Sequence, residues 1–329
     1  MDRCLPSQPV PPVRAIGERP VIDVAGEWGE LRGSAGVFVI GCPRSGTSAI
    51  SWAISQHPDF WTSAESDFLV YLLRNARLRI AYQTNYNRED SGWLRVNKVS
   101  YSEFAASIGI GIDRLFLSRS GGKRWIDQTP GHTLIAEELA LMFPNARFIH
   151  IVRDGRAVVQ SMLHSGFPEA WASAFEEACR TWSHYVRVGH EFARGHPDRC
   201  LEIRQEDLLS DAQAVMSHVF AFLGAHDWRP SSEFLRQGRI NSSFEPTTLK
   251  AADAPPSGPS RIESAQNWTP ELENIFADVA GPMRRMLGYE PCDAPVAGAA
   301  CAPPSAEPKD QMAATDAGSA PLTGDKPFR

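Results

Sequence analysis

The stretch that most constrains the fold runs from Val37 to Pro58 and reads VFVIGCPRSGTSAISWAISQHP. An apolar strand leads through a short glycine loop into a helix that we predict to begin at Thr47. In this layout the backbone N–H groups of the loop and the N-terminus of the helix face one spot, which is typical of an anion-binding site. The sequence therefore predicts an anion-binding loop at the end of a buried strand.

The charge of this loop is placed differently from that of an ATP-binding loop. The ATP-binding pattern GxxxxGK[ST] carries a lysine directly after its second glycine, whereas Gly46 is followed by Thr47. The positive charge stands ahead of that glycine, at Arg44. The loop residues expected to contact the ligand are Pro43, Arg44, Ser45, Gly46, Thr47 and Ser48.

A second strand–helix motif, FIHIVRDGRAVVQSM, occupies residues 148–162. Its strand ends at Arg153, and open α/β sheets bind ligands at the carboxyl ends of their strands. Ser161 lies about two turns along the next helix, on a face that can point back toward the same ligand. Because a guanidinium offers a planar fork of donors, Arg153 is suited to a doubly charged phosphate.

These features together resemble sulfotransferases that use 3′-phosphoadenosine 5′-phosphosulfate (PAPS). The pattern of a PRSGTS loop, then Glu65, a DQTP segment at 127–130 and FPNARF…VRDGR…S is most similar to the tyrosylprotein and carbohydrate branches. The resemblance covers about Val37 to Pro291. Because the sequence shows no membrane anchor, the chain resembles a bacterial, anchor-free type of this family.

The resemblance implies that the glycine loop binds the 5′-phosphosulfate, while Arg153 and Ser161 bind the 3′-phosphate. Arg44 would stabilise the charge that develops on the bridging oxygen as the sulfuryl group leaves. The implied reaction is in-line transfer to an acceptor hydroxyl of a carbohydrate, lipid, small molecule or tyrosine, without a metal ion. The resemblance does not select among these acceptors.

Three residues are candidates for the general base that removes the acceptor proton. The first choice is Glu65, because related enzymes carry a glutamate after the first βα unit. The second is His132, just after the DQTP segment and offset from the position of the histidine of the cytosolic branch. The third is Asp127, which can equally orient a neighbour.

The chain departs from its relatives at several positions. Gln128 stands where relatives usually carry a lysine that contacts the transferred group, and an amide brings no charge. Ser165 replaces an arginine of the tyrosylprotein branch, and Gln205 replaces a tyrosine. The loop that closes over the nucleotide is expected between Thr247 and Trp268. Its candidate contacts are Lys250, Arg261 and Ser264.

Two other functions stay open on sequence grounds. One is a P-loop kinase or ATPase, against which stand the missing lysine and the arginine at the end of the second motif's strand. Asp154 is the one acidic residue there that could hold Mg²⁺. The other is a catalytically inactive protein that binds the desulfated donor, PAP, and Gln128 is its best support.

Composition narrows the class of partner. The net charge of −6 over 329 residues argues against a general nucleic-acid or anionic-membrane binder.

The six cysteines show no metal-binding spacing and are expected to be reduced thiols. No secretory h-region and no apolar run near the roughly 20 residues of a membrane span are present. We therefore expect a cytoplasmic protein without a transmembrane segment, and the sequence carries no signal for an oligomeric state.

Strands that alternate with helices predict a P-loop-like, three-layer α/β/α fold with a central parallel sheet. The expected division is an irregular lead-in over 1–34, one domain over 35–290 and a disordered Ala/Pro-rich tail over 291–329. A helix is expected near Ser102–Ser107, and one long helix over Trp171–Arg194, with an apolar stripe that favours a core role. Gly109 and Gly111 lack the context of a dinucleotide-binding site.

Overall fold

The computed structural model describes residues 34–236 and 268–289. The predicted tail over 291–329 and nearly all of the predicted lead-in over 1–34 lie outside the described residues. So do Lys250, Arg261 and Ser264, and with them almost all of the loop expected between Thr247 and Trp268.

Over the described residues, the centre of the fold is a five-stranded sheet in which every paired strand is parallel, in the order β2-β3-β1-β4-β5. Its strands are β1 (Val37–Gly41), β2 (Phe60–Thr62), β3 (Arg124–Asp127), β4 (Arg147–Val152) and β5 (Cys200–Arg204). The predicted parallel α/β fold is thereby confirmed.

Helices follow or connect the strands over the described residues. They are α1 (Thr47–Ile54), α2 (Asp67–Leu73), α3 (Arg77–Tyr86), α4 (Trp93–Val96), α5 (Tyr101–Ser120), α6 (Ala136–Met142), α7 (Gly155–Leu163), α8 (Ala170–Ser173), α9 (Phe175–Gly195), α10 (Gln205–Ser210), α11 (Ala212–Leu223), α12 (Arg229–Arg236), α13 (Pro270–Val279) and α14 (Gly281–Met286). Short 3₁₀ helices occupy Arg74–Ala76 and Pro130–Ile135.

Alternation along β1 builds a core on each face of the sheet. Phe38 and Ile40 pack into a cluster with side chains of α2, α5, α6 and α9. Val37 and Val39 face the opposite cluster, which α1 and α11 complete. Because successive side chains of a strand point to opposite faces, a wholly apolar strand buried on both sides produces the predicted three layers.

The predicted helix near Ser102–Ser107 is part of a much longer one, α5, which continues to Ser120. Gly109 and Gly111, which lie inside α5, weaken the helical pattern of the sequence. The helix nevertheless continues through both glycines. Gly109 is buried against α6, and an added Cβ would lie 1.9 Å from the carbonyl oxygen of Met142.

These two glycines supply a matched pair for a stability test. Gly109→Ala is expected to lower the free energy of unfolding by about 1–3 kcal/mol, because the new methyl group collides with the backbone of α6. Gly111→Ala meets nothing within 4 Å and is expected to raise it by about 0.5–1 kcal/mol through helix propensity. Urea unfolding of both variants measures this. Equal effects would contradict the close approach of the two helices.

The predicted single helix over Trp171–Arg194 is wrong in one respect, since two helices, α8 and α9, occupy that range. Ala174 between them has an extended backbone (φ −131°, ψ 130°), and nothing in its residue type signals the break. The core interpretation of the stripe is confirmed for Cys179, Trp182 and Val186, which are completely buried.

Three cysteines in the described part of the chain, Cys42, Cys179 and Cys200, are free thiols in buried positions. Burial raises the pKa of the Cys42 thiol well above its usual value. Thiols in such buried, apolar surroundings are chemically inert. Within the described ranges, no helix is both long enough and apolar enough to span a bilayer.

Candidate active site

The glycine loop lies between β1 and α1, as the sequence predicts. The N–H of Ser45 donates to the carbonyl of Cys42 at 3.1 Å, which closes a tight turn. Gly46 takes a left-handed backbone with φ 102°, the conformation that glycine adopts without steric cost. Arg44 also has a positive φ, 71°, and such a backbone at a non-glycine residue is often found at functional sites.

One hydroxyl of this loop lies buried and unpaired. Ser45 is completely buried, and its Oγ has no hydrogen-bond partner among the described residues. A buried polar group without a partner costs about 1–3 kcal/mol. A loop that keeps such a group next to the N-terminus of α1 is suited to a ligand with anionic oxygens.

The two predicted anion-binding motifs meet in space. Strands β1 and β4 are neighbours in the sheet, so the loop after β1 lies beside the end of β4. Arg153 donates from Nη1 to the carbonyl oxygen of Arg44 at 3.0 Å, and Arg44 donates from Nε to Oγ of Ser161 at 3.2 Å. Both motifs therefore face the same place, which a single ligand with two anionic ends can span.

Gln128 connects the end of β3 to the start of α1. Its Oε1 accepts a hydrogen bond from Oγ of Ser48 at 3.1 Å. The side chain is 1% exposed, and its Nε2 has no partner within the described ranges. The Gln128 amide thus lies against the loop, with one unused donor group.

The segment that carries Glu65 is attached to the same end of β3. The N–H of Ser66 donates to Oγ1 of Thr129 at 2.7 Å, and its hydroxyl donates to the carboxylate of Asp127. Thr129 also donates from Oγ1 to Asp127 at 2.9 Å. These bonds hold half-buried Glu65 next to the strand end that presents Gln128 to the loop.

The other two candidate bases, His132 and Asp127, are buried. His132 is completely buried, with its ring edge-on to Phe38 at 5.4 Å between centroids. Burial lowers the pKa of its imidazole, although Asp127, 3.7 Å away, acts in the opposite direction. His132 is buried because it lies in the 3₁₀ helix Pro130–Ile135, which turns its side chain inward. The spacing of residues in the sequence does not show this turn.

Asp127 is engaged in hydrogen bonds within the fold. Its side chain is 6% exposed, and its carboxylate oxygens accept hydrogen bonds from Ser66 and Thr129. This geometry favours the orienting role that the sequence left open for Asp127. Among the three candidates, Glu65 has the most exposed side chain.

Phe167, which belongs to neither sequence motif, lies beside the loop. Its ring centroid is 5.8 Å from the guanidinium carbon of Arg44, and its side chain is 48% exposed. It also contacts Trp171, with 5.8 Å between ring centroids. The signal that the sequence offers is its aromatic type, five residues after the second motif. Ser165, two residues earlier, donates its hydroxyl to the carbonyl of Met162 at 2.6 Å.

The described ranges contain no group of three or more His, Cys, Asp and Glu side chains arranged to hold a metal ion. Asp154, the acidic residue considered for Mg²⁺, accepts a hydrogen bond from the N–H of Arg156 at the start of α7. Its carboxylate is also paired with Arg284 at 2.9 Å.

A glycine loop after the first strand of a parallel sheet, with a guanidinium at the end of the neighbouring strand, is typical of α/β proteins with a P-loop-like fold. The sequence model described as "Sulfotransferase family" matches residues 36–230, more than half of the chain. The chain therefore belongs to the sulfotransferase family. The prediction of a sulfotransferase from the loop and strand motifs is confirmed at the level of the family.

Curated relatives include protein-tyrosine sulfotransferases of animals. The chain is 24% identical to the "Protein-tyrosine sulfotransferase" of Drosophila melanogaster over 273 residues, which are 78% of this chain and 52% of that protein. It is 22% identical to "Protein-tyrosine sulfotransferase A" of Caenorhabditis elegans over 82% of this chain and 70% of that protein. The match thus spans about half the length of the Drosophila relative.

Solved structures that resemble the chain include the sulfotransferase domain of the Synechococcus PCC 7002 olefin synthase. That domain has 18% sequence identity and a TM-score of 0.47, over 77% of this chain and 95% of the domain.

Proposed function

We propose that this chain transfers the sulfuryl group of PAPS to a hydroxyl-bearing acceptor. The observation that carries the proposal is the contact of Arg153 with Arg44, and of Arg44 with Ser161, at the ends of neighbouring strands. Family membership supports PAPS as the donor. The acceptor classes remain those named above, a carbohydrate, lipid, small molecule or tyrosine.

In the proposed reaction the acceptor oxygen forms a bond to sulfur while the bond from sulfur to the bridging oxygen breaks, and PAP leaves. Arg44 stabilises the charge on that bridging oxygen, together with the loop amides and the hydroxyl of Thr47. Arg153 and Ser161 hold the 3′-phosphate. The acceptor proton passes to the carboxylate of Glu65.

Gln128 has a defined place in this proposal. The hydrogen bond from Ser48 to its Oε1 directs its Nε2 to another acceptor, and a sulfuryl oxygen of the donor provides one. A neutral amide donates a weaker hydrogen bond than a charged lysine. Arg44 therefore carries most of the positive charge that the transition state requires.

The experiment is a transfer assay with sulfur-labelled PAPS and a panel of phenols, sugars, lipids and tyrosine peptides. Labelled acceptor is the expected result, and it also identifies the acceptor class. Tight retention of PAP without transfer to any acceptor would instead favour the inactive PAP-binding protein. Transfer of the γ-phosphate of ATP would favour a kinase, a reading that the pairing of Asp154 with Arg284 disfavours.

We further propose that the protein works in the cytoplasm. The buried free thiols of Cys42, Cys179 and Cys200 support this, since exported proteins more often pair their cysteines. Fractionation of cells that express the tagged chain tests the location, and recovery of the protein outside the cytoplasmic fraction would contradict it.

A further inference from the structure

The peptide group that joins Arg153 to Asp154 is hydrogen-bonded on both sides. The carbonyl oxygen of Arg153 accepts from the indole Nε1 of Trp182, which is completely buried, at 3.1 Å. The N–H of Asp154 donates to Oε1 of Glu206 at 2.9 Å. The backbone from which the Arg153 side chain extends is therefore held by α9 on one side and by the start of α10 on the other.

The side chain of Asp154 joins this point to the C-terminal helices. Arg284 of α14 donates from Nε and Nη2 to the two carboxylate oxygens, at 2.9 Å each. This is the two-pronged geometry in which a guanidinium fixes a carboxylate most firmly. The side chains of Arg284 and Asp154 are only 15% and 24% exposed, so solvent screens the pair less than a surface ion pair.

Two further contacts link residues 268–289 to the same region. The hydroxyl of Tyr289 donates to Oε2 of Glu206 at 2.9 Å, so the acceptor of the Asp154 N–H is itself held from the C-terminal side. Arg156 forms two hydrogen bonds of 2.7 Å with Glu273. The start of α7 is thus connected to α13, α14 and the residues that follow them.

We infer that Arg284 is a positioning residue for the donor, acting on Arg153 through Asp154. The inference rests on the proposed function, in which Arg153 binds the 3′-phosphate. Arg284 has two effects in this arrangement. It fixes the residue next to Arg153, and it balances a carboxylate that would otherwise repel a phosphate bound by the adjacent guanidinium.

The test compares two ligands in one binding experiment. PAP carries the 3′-phosphate, whereas adenosine 5′-phosphosulfate lacks it. Arg284→Gln is expected to lower the affinity for PAP about tenfold, which corresponds to about 1.4 kcal/mol. It should leave the affinity for adenosine 5′-phosphosulfate unchanged, because that ligand makes no use of Arg153.

Arg285 offers a matched control, since it is the neighbouring arginine on α14 and is exposed. Arg285→Gln is expected to leave both affinities unchanged.

A second variant separates the electrostatic effect from packing. Asp154→Asn, added to Arg284→Gln, removes the unbalanced carboxylate and is expected to restore part of the lost PAP affinity.

The outcomes are distinguishable. If the wild-type chain fails to bind PAP, the proposed function itself fails. If the wild type binds PAP and folded Arg284→Gln binds it equally well, only the positioning role is overturned. An equal loss for both ligands would make Arg284 a general structural residue and would also overturn the role.

Circular dichroism confirms whether each variant is folded before titration. Should Arg284→Gln not fold, Tyr289→Phe removes a single hydroxyl from the same network. It is expected to lower PAP affinity about twofold to threefold, in line with the loss of one hydrogen bond of modest net strength. No change in PAP affinity for Tyr289→Phe would then count against the inference.

Discussion

Arg153→Ala is expected to lower the affinity for PAP about a hundredfold, or about 2.8 kcal/mol. Arg153 is 9% exposed, and its guanidinium is held at the carbonyl oxygen of Arg44 by a 3.0 Å hydrogen bond. Its removal takes a preorganised positive charge from the proposed 3′-phosphate site, and hydrogen bonds to charged groups are worth about 1.5–3 kcal/mol. Isothermal titration with PAP measures the loss.

Arg147 provides the matched control for this variant. It is the first residue of the same strand, β4, and therefore lies at the opposite edge of the sheet from Arg153. Its guanidinium packs over the ring of Phe222 at 4.9 Å. Arg147→Ala is expected to leave PAP affinity unchanged. Equal affinity for PAP in wild type and Arg153→Ala would remove Arg153 from the donor site.

Glu65→Gln is expected to lower the rate of sulfuryl transfer about a thousandfold, within the 10²–10⁴-fold range of general base catalysis. An amide occupies nearly the same space as a carboxylate but does not accept the acceptor proton. The affinity for PAP should remain close to that of the wild type, because Glu65 is proposed to act on the acceptor hydroxyl. Single-turnover transfer from labelled PAPS, with PAP titration alongside, separates the two quantities.

Glu89→Gln is a suitable control, since Glu89 is an exposed glutamate of the chain and should leave the rate unchanged. A Glu65→Gln variant that retains its rate would pass the role to His132 or Asp127, despite their burial. His132→Gln and Asp127→Asn then identify which of the two acts. A parallel loss of PAP affinity in Glu65→Gln would show instead that the substitution disturbs the donor site.

The parts of the fold that were predictable depend on neighbours within a few residues. An apolar strand, the glycine loop and the helix from Thr47 are one continuous stretch, and their order in sequence dictates their order in space. The strand that ends near Arg153 has the same local character. Alternation of such units also predicts the parallel sheet.

Local patterns failed where packing between distant segments decided the conformation. The continuation of α5 through Gly109 depends on its contact with the backbone of α6. The break at Ala174, where the backbone is extended, has no counterpart in residue type. The inward turn of His132 depends on a 3₁₀ helix that spacing could not distinguish from an ordinary helix start.

The sequence by itself determined the loop, the strand ends and the side chains with the chemistry of an anion site, because each is encoded within one strand–loop–helix unit. Only the tertiary structure decided which of them meet. Strand order brings Arg44 to Ser161, and helix packing joins Asp154 to Arg284 across 130 residues of sequence. Such contacts depend on which strands are neighbours and which helix faces are buried, and these are properties of the whole fold.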